Sequence, residues 1–246
     1  MHIRGYSVYL KYYIFIKMQK TLNHVLNLFF PRICFGCDGI LLADENIICT
    51  SCRHEIPLTN HCYQPENEMY NRFYGRVPVE FVGAKFFFHK KGIVQKLIYN
   101  LKYFGHQEIG TDIGNWFADD LKNLDIIKTV DQIIPVPLHL KRLKKRGYNQ
   151  VSTFGLALSE QLNIEYNSDI LFRRIHKESQ TKKVFLDRND GKKDVFDVVF
   201  TPENHNKHFL IIDDVFTTGA TLEQCAKALL KIPNTKISIV CMSMAH

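Results

Sequence analysis

From residue 79 onward the apolar positions switch between a two-residue and a helical period. Val79–Phe88 reads as a strand. Ile93, Leu97, Ile98 and Leu101, then Ile109, Ile113, Trp116, Phe117 and Leu121, recur at the spacing of two amphipathic helices. The pattern then predicts a strand over Gln132–Val136, a helix over about 147–162, a strand over Ile170–Phe172 and a long polar segment. A strand over Phe209–Ile212, a helix over about 221–231 and a last strand over Lys236–Met242 complete it. Alternating strands and helices predict an α/β fold: a parallel sheet with helices on both faces.

The N-terminal third is patterned differently. Leu22, Val25, Leu26 and Phe29 predict a short helix ended by Pro31. The apolar runs 40–42 and 47–49 flank the polar turn Ala43–Asn46 and predict a small hairpin. Residues 57–78 carry Pro57, Pro65, Gly75 and Pro78 among polar filler and read as a linker. The expected organisation is therefore 18–78 (helix, cysteine-rich ribbon and linker) followed by 79–246 (sheet domain). Tyr6–Ile16 is apolar but spans only 11 residues and contains Lys11, too short to cross a bilayer. No small-residue cleavage site follows it. Met18 offers a second start, in which case 1–17 is an over-extended translation.

Composition excludes disordered, collagen-like and coiled-coil classes: apolar residues make up 46% and charged residues 23% of the 246. The net charge of +7 matters less than its placement. Lys141, Arg142, Lys144, Lys145 and Arg146 are five cations in six positions, and 173–194 carries a further excess of four. The rest of the chain is slightly acidic, so the basicity is local and points to a phosphate-rich ligand or a nucleic acid.

Five of the seven cysteines fall between 34 and 62. Cys34-x-x-Cys37 and Cys49-x-x-Cys52 each form a tight knuckle whose thiolates point at one centre, and two knuckles supply four tetrahedral sulfur ligands. Such spacing predicts a structural zinc with no open position, in a reducing compartment. A redox role for either pair is disfavoured because neither is expected in a strand-to-helix turn. Cys62, which has no C-x-x-C partner, reads as a bystander.

The segment from Phe209 to Thr221 is a second candidate. An apolar strand ends in Asp213 and Asp214, and the small loop Thr217, Thr218, Gly219, Ala220, Thr221 opens a helix. Ligands of open α/β sheets sit at such strand ends. Loop N–H groups, threonine hydroxyls and the helix N-terminus can surround a phosphate, while paired carboxylates accept from the two hydroxyls of a ribose. Both acids are expected to face solvent, unpaired, so that neutralising Asp214 would leave stability unchanged or slightly raised. A Walker B reading fails because the chain contains no G-x-x-x-x-G-K-[ST]. The basic run 141–146 follows the Pro137 end of a central strand, which puts it on the same edge of the sheet. Tyr148 beside it offers a stacking face or a core aromatic.

Phe209–Thr221 resembles the 5-phosphoribosyl-1-pyrophosphate (PRPP) signature of type I phosphoribosyltransferases. With the cysteine ribbon, Leu101–Gly105, Ile134–His139 and Arg146–Gln150, the chain resembles the ComF family of bacterial competence proteins over about 18–246. The resemblance implies a type I phosphoribosyltransferase-like sheet preceded by a zinc ribbon. It implies ribose hydroxyls on Asp213 and Asp214, the 5-phosphate on Thr217–Thr221, and magnesium accompanying PRPP. Pyrophosphate or a polyanion would meet Leu138, His139, Lys141, Arg142, Lys144, Lys145 and Arg146. In the family's third block Gln180, Arg188 and Phe196 fit, whereas Gly191 and Val195 replace the usual Asn and Ala. The implied role is a cytoplasmic protein without a membrane span that binds PRPP or a related compound. It would assist the handling of single-stranded DNA in natural transformation, with other competence proteins as partners. The rival is an active salvage-type phosphoribosyltransferase joining a base to PRPP, which needs no protein nucleophile. A third reading makes the ribbon a protein-docking module beside a vestigial site.

Overall fold

The computed structural model describes residues 29–64, 66–174 and 195–245. The helix expected around Leu22–Phe29, both possible starts, and nearly all of the polar segment 174–195 lie outside those residues. Two compact units meet in sequence at Glu55 and Ile56.

In the first unit Ile33 and Ile40 form an isolated antiparallel bridge, and helix α1 (Thr50–Glu55) follows Cys49. The expected hairpin of 40–42 with 47–49 does not form as paired strands. Side chains close this loop instead. Glu45 accepts from Leu42 N at 2.8 Å and from Thr50 Oγ1 at 2.7 Å, while Arg32 donates to the carbonyls of Leu42 and Ala43 at 3.0 and 3.1 Å.

The second unit begins at Ile56, and the segment read as a linker belongs to it. Leu58 bridges Phe86, a 3-10 turn covers His61–Tyr63, and helix α2 (Glu68–Asn71) follows. Asn67 caps α2 by accepting from Met69 N and Tyr70 N, and donates to Val82 O at 2.8 Å. Met69, Phe73 and Val77 are buried in the main core. Met69 lies on α2 and Phe73 and Val77 in the turns that follow it, a buried run that the neighbouring prolines and glycine obscure in the sequence.

The main sheet comprises β1 (Phe81–Phe88), β2 (Gln132–Pro135), β3 (Glu165–Tyr166), β6 (His208–Phe216) and β7 (Lys236–Ala245), while β4 (Leu171–Arg173) and β5 (Phe196–Val198) form a separate antiparallel pair. Strand order is β1-β7-β6-β2-β3, every neighbouring pair parallel. The helices are α3 (Ile93–Tyr103), α4 (Glu108–Leu121), α5 (Asp125–Lys128), α6 (Leu140–Arg146), α7 (Ser152–Leu162) and α8 (Ala220–Leu229). The helix expected over about 147–162 forms as α7, and the basic run before it is a separate helix, α6. Gly147, at φ 84°, ends α6 in the left-handed conformation that glycine adopts without strain.

Helices cover both faces. Ile134, Phe209, Ile211, Ile237 and Ile239 pack with Leu222, Cys225 and Leu229 of α8, a core that Leu171 and Phe196 extend. This attachment explains why β4 leaves the parallel sheet: it covers α8. On the alternate positions Ile212 approaches Gly155 of α7, and Phe154 of α7 stacks on Phe117 of α4. Lys85 is buried among these residues, ion-paired with Asp120 at 2.6 Å and 4.8 Å from the Trp116 ring.

Candidate functional site

The chain leaves β2 toward β3 on one side and leaves β6 toward β7 on the other, although β2 and β6 are neighbours. Diverging connections open a crevice at the carboxyl ends of such strands, where ligands of open α/β sheets bind. A cavity of about 630 Å³ lies there. Val136, Pro137 and Leu138 after β2 form one wall, and Asp213, Asp214 and Thr221 form another. Arg142, Lys145 and Arg146 come from α6, with Lys102 to Gly105 at the end of α3.

The acids differ from the exposed, unpaired groups expected. Asp214 is buried, with one oxygen 2.9 Å from Lys102 Nζ. Its other oxygen, Oδ2, is buried and accepts no hydrogen bond among the described residues. Asp213 accepts from Asp214 N at 2.8 Å. Burial, and then the neighbouring Asp214 charge, push its carboxyl up to about 8. Asp213 is thus biased towards holding its proton, and the unfilled acceptor on Asp214 awaits a donor or a cation.

Thr217, Thr218, Ala220 and Thr221 are exposed in and after the turn from β6 to α8; of these, Thr221 lines the cavity. Gly219 is buried at φ 78°, with Phe216 packed where a Cβ would stand. The cap of α8 thus depends on a residue without a side chain.

The five cations divide. Arg142, Lys145 and Arg146 share a face of α6 at i, i+3, i+4 and line the cavity, whereas Lys141 and Lys144 do not. Arg146 also donates to Gln150 and lies over the Tyr103 ring at 5.7 Å. Leu138 lines the wall. His139 lines it too, but its Nδ1 accepts from Lys141 N at 3.1 Å and so caps α6. Tyr148 lines the cavity and is fastened through its hydroxyl to Leu101 O.

Lys102 is the residue whose role the sequence reading missed. It lies four residues after Ile98 on the stripe of α3, and a cation on an apolar stripe is the signal that could have found it. Arg173, at the end of β4, also borders the cavity without having been singled out.

In the first unit the sulfur atoms of Cys34, Cys37, Cys49 and Cys52 all lie within 4.8 Å of one another, with Cys37 and Cys49 3.7 Å apart. A tetrahedral zinc with bonds near 2.3 Å separates its sulfurs by about 3.8 Å, far beyond a disulfide, so the four fit a metal ion. The N–H groups of Gly36 and Cys49 donate to Cys34 Sγ at 3.3 and 3.2 Å, as thiolate ligands require. The second pair opens helix α1, but no strand leads into it among the described residues. The convergence of all four sulfurs on one point also speaks against the redox reading. Cys62 lies in the other unit, buried beside Lys85 and Asp120, with its thiol pushed up to about 12 by burial.

Fold and site define an α/β protein with a polar ligand cleft at the switch point of a parallel sheet and a four-cysteine metal site before it. The chain is similar to competence protein F of Haemophilus influenzae, 26% identical over 233 residues that cover 86% of this chain and 96% of that protein. It is 26% identical over 149 residues to the DNA utilization protein YhgH of Escherichia coli K12, covering 59% and 65%. Over 102 residues it is 30% identical to competence protein ComFC of Bacillus subtilis, covering 40% and 38%. No protein-family model matches. A hypoxanthine phosphoribosyltransferase structure from Staphylococcus aureus aligns at 14% identity and a TM-score of 0.33, over 55% of this chain and 62% of that one. Homologues named competence protein F and ComFC bear out the resemblance to the ComF family.

Proposed function

We propose that the cleft binds PRPP or a related phosphoribosyl ligand and that the protein assists the handling of single-stranded DNA in natural transformation. The observation that carries this reading is the cleft itself. Two carboxyls, one with an unfilled buried acceptor, face three cations across the switch point. Ribose hydroxyls would donate to Asp213 and Asp214. The 5-phosphate would lie against Thr217–Thr221 at the start of α8, and the pyrophosphate near Arg142, Lys145 and Arg146 with magnesium. Homologues named for competence and DNA utilization support the biological half. Zinc on Cys34, Cys37, Cys49 and Cys52 would hold the first unit together. A reducing, cytoplasmic setting and contacts with other competence proteins follow from the same reading. Among the described residues no helix is long and apolar enough to cross a membrane.

The test is the binding of a fluorescent single-stranded oligonucleotide at several salt concentrations, with and without magnesium PRPP. Three phosphate contacts from α6 give a slope of log K against log salt near −2, at about −0.7 per contact. Replacing Arg142 and Lys145 by Ser flattens it by about 1.4, while replacing Lys141 and Lys144 leaves it unchanged. Absence of binding, or an equal effect of both double variants, overturns the assignment. Release of pyrophosphate on adding a purine or pyrimidine base would instead favour the transferase reading.

A further inference from the structure

The end of α3 carries three aromatic side chains that the sheet does not bury. Tyr99, Tyr103 and Phe104 are 53%, 61% and 63% exposed. They gather rather than scatter: the Tyr99 ring lies 4.8 Å from that of Tyr103 and 5.6 Å from that of Phe104. Large rings left side by side in water mark a binding surface.

Their surroundings indicate what binds. Tyr103 and Phe104 line the same cavity as Arg142, Lys145 and Arg146, and the Arg146 guanidinium lies over the Tyr103 ring. Among the described residues Arg142 and Lys145 have no acidic partner, so their charge is available to a polyanion. Cations beside ring faces are the chemistry that holds an unpaired strand, the cations taking its phosphates and the rings its bases. A duplex keeps its base faces inside the stack and cannot use the rings. We propose that Tyr99, Tyr103 and Phe104 form a base-stacking platform for single-stranded DNA whose backbone lies along Arg142, Lys145 and Arg146. This rests on the reading of the protein as a single-strand binder and adds that bases, not phosphates alone, are gripped.

The experiment compares the full-length protein's affinity for a twelve-residue oligothymidylate with that for an abasic oligomer of equal length and charge. The expected result is a preference of about tenfold or more for the base-bearing strand, since each stacked base contributes that order. Tyr103→Leu with Phe104→Leu should reduce that preference to near unity and leave the salt slope unchanged. Equal affinities of the unaltered protein for the two oligomers would sink the platform while leaving single-strand binding intact; no affinity for either would sink both. That comparison needs no variant, so a misfolded double mutant cannot obscure it. Thymidine monophosphate binding as tightly as the oligomer would also overturn the proposal, because the rings would then serve a small ligand.

Discussion

Lys102 Nζ and Asp214 Oδ1 stand 2.9 Å apart although 112 residues separate them in sequence. The pair ties the end of α3 to the end of β6 and fixes the cleft from both sides. Removing the cation leaves a buried carboxylate without its partner. Breaking a fully buried pair costs about 3–5 kcal/mol, and Lys102 is partly exposed, so Lys102→Met should lower stability by about 2–3 kcal/mol. Urea unfolding followed by circular dichroism measures it. A loss below about 0.5 kcal/mol would mean that the pair does not hold the site together.

Asp213 carries the opposite signature. Its folded pKa, near 8, lies above the ordinary value of 3.8, so between those values the folded chain binds more protons than the unfolded one. Stability from this group is full below about pH 4 and is lost as pH rises through about 8. Asp213→Asn keeps an acceptor for Asp214 N and has nothing to titrate. The variant should lose less stability than the parent between pH 5 and pH 8, measured as the shift in urea midpoint. Parallel curves for the two proteins would contradict a raised Asp213.

Much of this was legible in the sequence, and what was not has specific causes. The β6 loop was readable because strand, acids, small residues and helix fall in one local run from Phe209 to Thr221. The cysteine knuckles were equally local. Lys102 and Tyr148 belong to quoted blocks, yet what they touch depends on how α3 crosses the sheet edge, which no short pattern encodes. Met69, Phe73 and Val77 reach the core from one short turn of helix and the turns after it, which carry no regular period, so core was read as linker. Helix α6 was read as a charge run because its apolar positions, Leu140 and Leu143, are exposed and give no buried stripe. Its division into cavity-lining and outward cations needed the helix itself.

Gly219→Ala tests the loop. A Cβ there would stand 2.9 Å from Phe216 at a φ that side chains resist, so about 1–3 kcal/mol of stability should be lost. In a chain of this size that lowers the thermal midpoint by roughly 2–10 °C. An unchanged midpoint would show that the turn relaxes freely.

The cysteine cluster predicts one zinc per chain in protein purified without chelator, by elemental analysis. Cys34→Ser should abolish it and unfold the first unit, because metal binding supplies the folding free energy of such knuckles. The second unit should keep its own unfolding transition, since its core is separate. Protein free of zinc, or a variant that retains it, would contradict the four-thiolate site.

The central claim is that Asp213 and Asp214 face a phosphoribosyl ligand, and calorimetric titration of magnesium PRPP into the full-length protein and into Asp213→Asn tests it most directly. The parent should bind one equivalent, and the folded variant should bind about 10- to 100-fold more weakly, because donating ribose hydroxyls and the magnesium ion favour the ionised form of Asp213 and so create a charge-assisted hydrogen bond that an amide lacks. No heat of binding to the parent, or equal affinity for the two proteins, would contradict it.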